Sequence, residues 1–584
     1  MEWLPKPTDA IAREKWSKHL VWLASLCGCL AFLTLVWEIG WPVSAATLKS
    51  IRAITWGLVI LAALVELALN LLDRKPEHLR RGLILLALPL LAGLQMVLGE
   101  RTWAFWDTIF PRSSVPYVAM GVVQANLILP TAVRLIRLMR DQRWFQTMSP
   151  GLIGVISFVL IIGIGTGLLM TPNASKEGLE WVDALFMSTS AVCVTGLSSV
   201  NVETSLTVTG QAILLALIQI GGLGVMTLTY FLALVAGQGF NLRDRVALRD
   251  LLSEENLGRV GGFVWHIVGW TLLIEFSGVL LLRWLWQDTH LTPSKLWWDC
   301  LFHGISAFCN AGFSTYGDGL MHPSLLHNRG VHTVVMILIV LGGFGFALFS
   351  EMGRYGRAWW HRHVKGQELM MPRLSVHCRL AFTSTVLLLV GGAVAYAASG
   401  LGVWESIFNS VVTRTAGFNI SSFGAHGTAA LIISLVLMAI GGNPGGTAGG
   451  IKTTTAALIV LEMKRILLGQ RDLQLWDRRA SRESVERSWA TLALCLLWVI
   501  VASSLMGWFD PAMAAADIIF ECVSAFGTVG LTRGITMQMS DPSKLVVVAT
   551  MLAGRIGILT FAMSLIGPRK PSKIRMPEAR VPLG

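Results

Sequence analysis

Charge is scarce in this sequence. Asp, Glu, Lys and Arg make up 14% of its 584 residues, against about 25% in an ordinary soluble chain. With 54% hydrophobic residues and a mean hydropathy of +0.62, that deficit excludes a string of soluble domains and indicates a polytopic membrane protein. The eight cysteines include no CxxC pair, so neither a zinc site nor a disulfide framework is indicated. The formal charge is +12, but the basic residues form no continuous stripe of the kind that holds nucleic acid. The N-terminus is polar through Lys18 and lacks a signal-peptide cleavage pattern, so the first apolar run is expected to be a retained span.

About twelve spans can be placed. Four lie near 19–41, 52–72, 82–99 and 115–139, in an N-terminal block (1–148) of no evident role. The other eight form pairs near 151–170 and 208–236, 261–286 and 331–350, 377–398 and 427–463, and 488–508 and 544–566. They divide the rest into units 149–250, 251–370, 371–485 and 486–584. The connections Asp73 to Arg81, Arg134 to Arg143, Arg243 to Arg245, Arg354 to Lys365, Lys464 to Arg487 and the tail at Arg569 and Lys570 are basic. By the positive-inside rule they and both chain ends lie in the cytoplasm.

Within each pair sits a segment too short to cross about 30 Å as a helix. The four begin Asp183-Ala184-Leu185-Phe186, Asp299-Cys300-Leu301-Phe302, Glu405-Ser406-Ile407-Phe408 and Asp517-Ile518-Ile519-Phe520. They lead to the turns Val194-Thr195-Gly196, Asn310-Ala311-Gly312, Thr415-Ala416-Gly417 and Thr528-Val529-Gly530. The acid-to-glycine separation is 13, 13, 12 and 13 residues, a regularity that marks an internal repeat. A carboxylate at a helix start caps free N–H groups and meets the positive dipole end. Asp183, Asp299, Glu405 and Asp517 are therefore expected as pore-helix caps. The opposite, negative helix end faces the turn. Glycine opens backbone angles closed to other residues, so neighbouring carbonyls can replace the water shell of a cation. Non-helical backbone at membrane depth is tolerated where it lines a cavity. The expected fold is an all-α polytopic membrane protein. Four helix–pore-loop–helix repeats surround one pore in a pseudo-fourfold arrangement, after about four extra transmembrane helices.

The fourth turn is similar to the potassium-channel filter sequence TVGYG without its Tyr-Gly end. The four-unit pattern, over about 150–567, resembles the Trk/Ktr/HKT superfamily of potassium transporters. That resemblance maps the filter glycines onto Gly196, Gly312, Gly417 and Gly530, and glycine at all four positions implies potassium. The stretch Gly441-Gly442-Asn443-Pro444-Gly445-Gly446-Thr447-Ala448-Gly449-Gly450 cannot be stable helix interior. By resemblance it is the mobile loop that gates passage beneath the filter. Ile451 separates Gly450 from Lys452, so it lacks the G-K-[ST] core of a phosphate loop. Arg555 lies in the last apolar span, where a lone Arg is costly unless it faces water or a partner. The resemblance makes it an electrostatic barrier to cations; pairing with a buried acid is the other account. The resemblance also implies a homodimer in a bacterial inner membrane and a cytosolic nucleotide-binding regulatory subunit of TrkA/KtrA type. No Gly-rich dinucleotide fingerprint occurs in this chain. The transported ion is K⁺, and no other cofactor is expected.

Other signals are weaker. Arg134, Arg137, Arg140 and Arg143 recur as in a voltage sensor, with Glu38 and Glu66 as counter-charges, but Arg140 and Arg143 lie past the apolar run. His361 and His363 have no clustered ligands in the sequence. Glu275 either pairs with Arg283 or faces the pore. The competing functions are a sodium or non-selective cation path and a membrane-embedded lipid-group transferase. The latter needs convergent acid, base or metal ligands, whereas the intramembrane acids are sparse and open pore helices.

Overall fold

In the computed structural model, the structure describes residues 7–73 (except residue 43), 150–224, 260–287, 291–366 and 374–566, with a few isolated positions between 83 and 131. The expected spans at 82–99 and 115–139, the Arg134–Arg143 series, the Arg243–Arg245 connection, the tail and the end of the 208–236 span lie outside those residues, isolated positions apart.

Two long helices, α1 (Pro7–Gly40) and α2 (Ala45–Asp73), open the chain. They pack through the small side chains Ala31, Ala62 and Ala63 with Cys27, Leu58 and Val59. Arg52 lies 3.6 Å from Glu38, so the carboxylate expected to balance an arginine series meets a different arginine.

The first repeat holds α3 (Pro150–Leu169), α4 (Trp181–Val192) and α5 (Val208–Gly222). The second holds α6 (Val260–Leu285), α7 (Pro293–Cys309), α8 (Arg329–Gly343) and α9 (Phe346–His363). The third holds α10 (Val376–Ala398), α11 (Val403–Val412), α12 (Thr428–Ala439) and α13 (Thr453–Leu467), followed by a two-stranded hairpin, Gln474–Leu475 with Arg478–Arg479. The last holds α14 (Arg482–Phe509), α15 (Ala515–Gly527), α16 (Asp541–Ile556) and α17 (Ile558–Ile566). Among the described residues six helices are long and apolar enough to cross a membrane, or up to eight if each bent pair is one span.

The short helices α4, α7, α11 and α15 form the centre. Phe186, Phe302, Phe408 and Phe520, one from each acid-x-x-Phe start, are all essentially inaccessible. The long helices turn the other way. Leu272, Leu273 and Phe276 of α6, and Leu496, Leu497 and Ile500 of α14, are well exposed. Apolar side chains inside and outside alike are the distribution that a hydrocarbon solvent permits.

The apolar runs 331–350 and 544–566 predict unbroken spans; both are broken. The chain bends by 97° between α8 and α9 and by 101° between α16 and α17. Each break is a four-residue step between glycines, Gly342 to Gly345 and Gly554 to Gly557, and the second glycine has a positive φ (84° and 91°). The first glycine of each step presses on a pore-helix carbonyl, Gly342 on Phe308 and Gly554 on Phe526, with no room for a Cβ. Gly221 and Gly224 (φ 81°) repeat the arrangement against Val192. The Arg354–Lys365 connection is helix as far as His363, in α9, where a loop was expected. The 427–463 span is divided as expected, and α12 and α13 are each too short to cross alone.

Candidate functional site

A ring of glycines joins the four repeats. A Cβ built on Gly312 would stand 2.5 Å from the Ala416 carbonyl oxygen, and one on Gly417 2.5 Å from that of Val529. Gly196 meets the Ala311 oxygen, and Gly530 the Thr195 oxygen, more closely still. The sequence of contacts is 196 to 312 to 417 to 530 and back to 196, so it closes. Each joint sets one glycine against the peptide carbonyl preceding the next. All four glycines have positive φ, between 69° and 92°. Any side chain here would collide with a neighbouring backbone and strain its own.

The four short helices enter the ring in two ways. Val194, Asn310 and Thr528 are left-handed, with φ of 57°, 61° and 49°. In each case the next N–H donates back to the carbonyl five residues earlier: Thr195 to Ser190 (2.8 Å), Ala311 to Ser306 (2.7 Å) and Val529 to Ser524 (2.8 Å). This is the Schellman closure of a helix end. In the third repeat Thr413 stays right-handed (φ −64°), and Ala416 N–H donates to Val412 O at 3.0 Å. The one-residue-shorter spacing read from the sequence is this missing left-handed residue. Thr195, Asn310, Ala311, Thr415, Ala416 and Val529 are all buried. With its amide turned so that nitrogen donates to Ala307 and Ile339, Asn310 accepts from the Thr415 hydroxyl at 3.0 Å.

The four acids are not caps. Asp183, Glu405 and Asp517 occupy the third position of their helices, whose N-caps are Glu180, Gly402 and Ala514. Asp299 lies deeper, because α7 starts at Pro293, and its carboxylate accepts from Thr315 Oγ1 and Tyr316 OH, both at 2.8 Å. The others also meet side chains: Asp183 with Lys544 Nζ (2.7 Å), Asp517 with Arg533 Nε (2.6 Å) and Glu405 with His426 Nε2 (3.3 Å). Three keep the favourable charge at the positive helix end; all four bind the loop or helix beyond the turn.

The stretch from Gly441 to Gly450 crosses between repeats. Asn443 N–H donates to Gly343 O (3.1 Å), Thr447 N–H to Gly342 O (3.2 Å), Gly450 N–H to Gly554 O (3.3 Å) and Gly449 N–H to Thr528 Oγ1 (3.0 Å). Phe346 N–H in turn donates to Gly445 O at 3.1 Å. The Asn443 amide is held by Thr385, Thr453 and the Phe344 carbonyl. The neck is closed by Gly441 N–H to Ile451 O (2.8 Å) and Ile451 N–H to Ala439 O (3.2 Å). Pro444, Gly445 and Gly446 form the less buried tip. Arg555 is buried and donates to the carbonyls of Thr447 and Gly221, so it ties the stretch to the first repeat. Of its two expected accounts, pairing with a buried acid is not seen among the described residues; its partners are backbone oxygens.

Two basic residues not expected at the site also lie beside this stretch. Arg414, buried just before the third turn, donates to Gly441 O at 3.4 Å, and Lys452 Nζ donates to Ala448 O at 2.6 Å. Their signal was a cation inside an apolar run, the same cue that singled out Arg555. Glu275 does not pair with Arg283: it accepts from Gln219 Nε2 (3.2 Å) and lies 3.7 Å from Cys309 Sγ, while Arg283 stands over the Trp297 ring. His361 and His363 lie on α9, and His363 stacks on Trp359.

Residues 122–568 match the family model of TrkH, described as a cation transport protein. The chain is 33% identical over 456 residues to the Ktr system potassium uptake protein B of Bacillus subtilis, covering 75% of this chain and 97% of that protein. It is 31% identical over 459 residues to the potassium/sodium uptake protein NtpJ of Enterococcus hirae, covering 75% and 98%. The crystal structure of the potassium transporter TrkH from Vibrio parahaemolyticus aligns with a TM-score of 0.59 at 18% identity, over 82% of this chain and 96% of that one. The glycine ring, the four repeats around it and these matches lead to one statement: the chain belongs to the TrkH family of cation transport proteins.

Proposed function

We propose that the protein takes up K⁺ across the bacterial cytoplasmic membrane through the glycine ring, its basic connections and both chain ends facing inward. The observation that carries this is the closed order of contacts among Gly196, Gly312, Gly417 and Gly530. Four peptide carbonyls at the joints, with the negative ends of four pore helices behind them, form a site for a cation that has shed its water. The selectivity filter comprises Val194 to Gly196, Asn310 to Gly312, Thr415 to Gly417 and Thr528 to Gly530.

The Gly441–Gly450 stretch is the gate. Its hydrogen bonds to two breaks and to Thr528 of the fourth turn hold it beneath the turns, and Arg555 adds a positive charge there. Passage requires Thr447, Gly449 and Gly450 to leave Gly342, Thr528 and Gly554 while Asn443 stays held by Gly343, Thr385 and Thr453. The active form is a homodimer. A cytosolic nucleotide-binding subunit controls it, a reading favoured by the relative named as part of a Ktr system.

The test is Rb⁺ against Na⁺ flux into vesicles holding the purified protein, then the same with Gly196→Ser. Rb⁺ preference that falls in the variant supports the proposal; equal fluxes in the unaltered protein overturn potassium selectivity. A sodium-permeable or non-selective path is the second reading, because one relative is named a potassium/sodium uptake protein. The same ion series separates the two.

A further inference from the structure

Helix α9 has no evident part in the ion path, yet its composition is distinctive. At 100° per residue, Met352, Tyr355, Trp359 and Trp360 fall on one side and Arg354, Arg357 and His361 on the other, with Arg362 at the boundary beside Tyr355. The apolar side is open: Met352 is 56% exposed, Tyr355 43%, Trp359 45% and Trp360 52%. Arg354, Arg357 and Arg362 are exposed as well. An amphipathic helix with aromatic rings on one face and arginines on the other suits a bilayer surface.

Two contacts set its height and direction. Ser375 N–H, at the start of the full span α10, donates to Glu351 at 3.0 Å. The helix therefore runs past the end of a membrane span. The 97° turn after α8 then lays it across the span direction. Glu351, its one acid, is turned to Ser375 and Arg354, which leaves the arginine side with a net positive charge. The connection to the gate is short. Phe346, the first residue of α9, donates to Gly445 O at 3.1 Å, and Gly345 has the Pro444 oxygen 2.7 Å from its Cβ position.

We propose that α9 is a membrane-surface helix. Met352, Tyr355, Trp359 and Trp360 enter the headgroup boundary of the inner leaflet. Arg354, Arg357 and Arg362 bind anionic phospholipid headgroups, and this docking holds the Gly441–Gly450 stretch in its seated position. Anionic lipid therefore restrains flux. The docking half stands alone; the restraint half rests on the gate reading above.

The experiment uses full-length protein in phosphatidylcholine vesicles, with and without phosphatidylglycerol. A fluorophore on Met352→Cys is expected to be quenched by lipid bearing a nitroxide near the top of its acyl chain and shielded from iodide; one on Arg357→Cys, at headgroup height, is expected to be reached by iodide and less by that nitroxide. Iodide quenching at both positions overturns docking, because the helix then stands in water. Shielding at 352 from both quenchers also overturns it, because protein, such as a second copy, then covers the face. In the flux arm, phosphatidylglycerol is expected to lower Rb⁺ influx about fivefold. The triple variant Arg354→Gln, Arg357→Gln and Arg362→Gln is expected to lose that difference. If Arg555→Gln changes flux but phosphatidylglycerol does not, the restraint is wrong and the gate reading survives. If neither changes flux, the gate reading fails.

Discussion

The third repeat and its three companions reach the same ring by different routes. Repeats one, two and four end their pore helices in a left-handed residue. Where described, their second helices step over a short glycine-to-glycine break. Repeat three omits the left-handed residue and puts thirteen residues, Ile440 to Lys452, between α12 and α13. A left-handed non-glycine residue costs about 1–2 kcal/mol, so the shorter turn is locally the less strained one. Its connection carries Gly441 to Gly450, hydrogen-bonded to repeats two and four. In the proposed function, the turns on three sides select the ion and the one long connection across them admits it.

Gly312→Ala and Gly417→Ala test the shared part. Both glycines face a carbonyl at the same distance, so each substitution is expected to cost about 3 kcal/mol. Rb⁺ over Na⁺ preference in vesicles should drop about 100-fold in both. A mild Gly417→Ala would show that repeat three stands outside the filter. Next comes the clasp on the first acid. Lys544→Met leaves the half-buried Asp183 unpaired and is expected to destabilise the protein by about 3 kcal/mol. Asp183→Asn in the same chain should recover most of that, read as melting temperature in detergent. His426→Ala, which frees the more exposed Glu405 of repeat three, should cost less than half as much.

Arg555 sharpens the contrast among the breaks. The corresponding position is Gly222 in the first repeat and Gly343 in the second, so a single repeat supplies the cation. Arg555→Gln is expected to raise Rb⁺ influx about tenfold; unchanged influx would remove it from the gate. The smallest effect belongs to Thr528→Val. It deletes the acceptor for Gly449 N–H, worth about 1 kcal/mol, and should raise influx a few-fold. Thr195→Val, at a hydroxyl without a hydrogen-bond partner among the described residues, should leave gating unchanged.

The repeat was legible in the sequence because its signal is spacing: an acid, a Phe three residues on, and a glycine twelve or thirteen on. The missing residue in repeat three was visible as a number before its backbone meaning was. The kinks at Gly342–Gly345 and Gly554–Gly557 were hidden, since two glycines in an apolar run look like ordinary helix packing until a pore-helix carbonyl is placed beside them. The role of the acids was misread for a related reason. Their partners Lys544, Arg533, His426, Thr315 and Tyr316 lie 16 to 361 residues away, and helix-start statistics carry nothing about them. Arg414 and Lys452 were available as lone cations in apolar surroundings and were passed over.

The joint between Gly530 and Thr195 has a consequence for how the molecule is made. It brings together the last and first quarters of the transport core, and the Lys544–Asp183 pair spans the same seam. The ribosome makes Gly530 and Lys544 more than three hundred residues after Thr195 and Asp183, so the glycine ring can close only once the last quarter has been delivered.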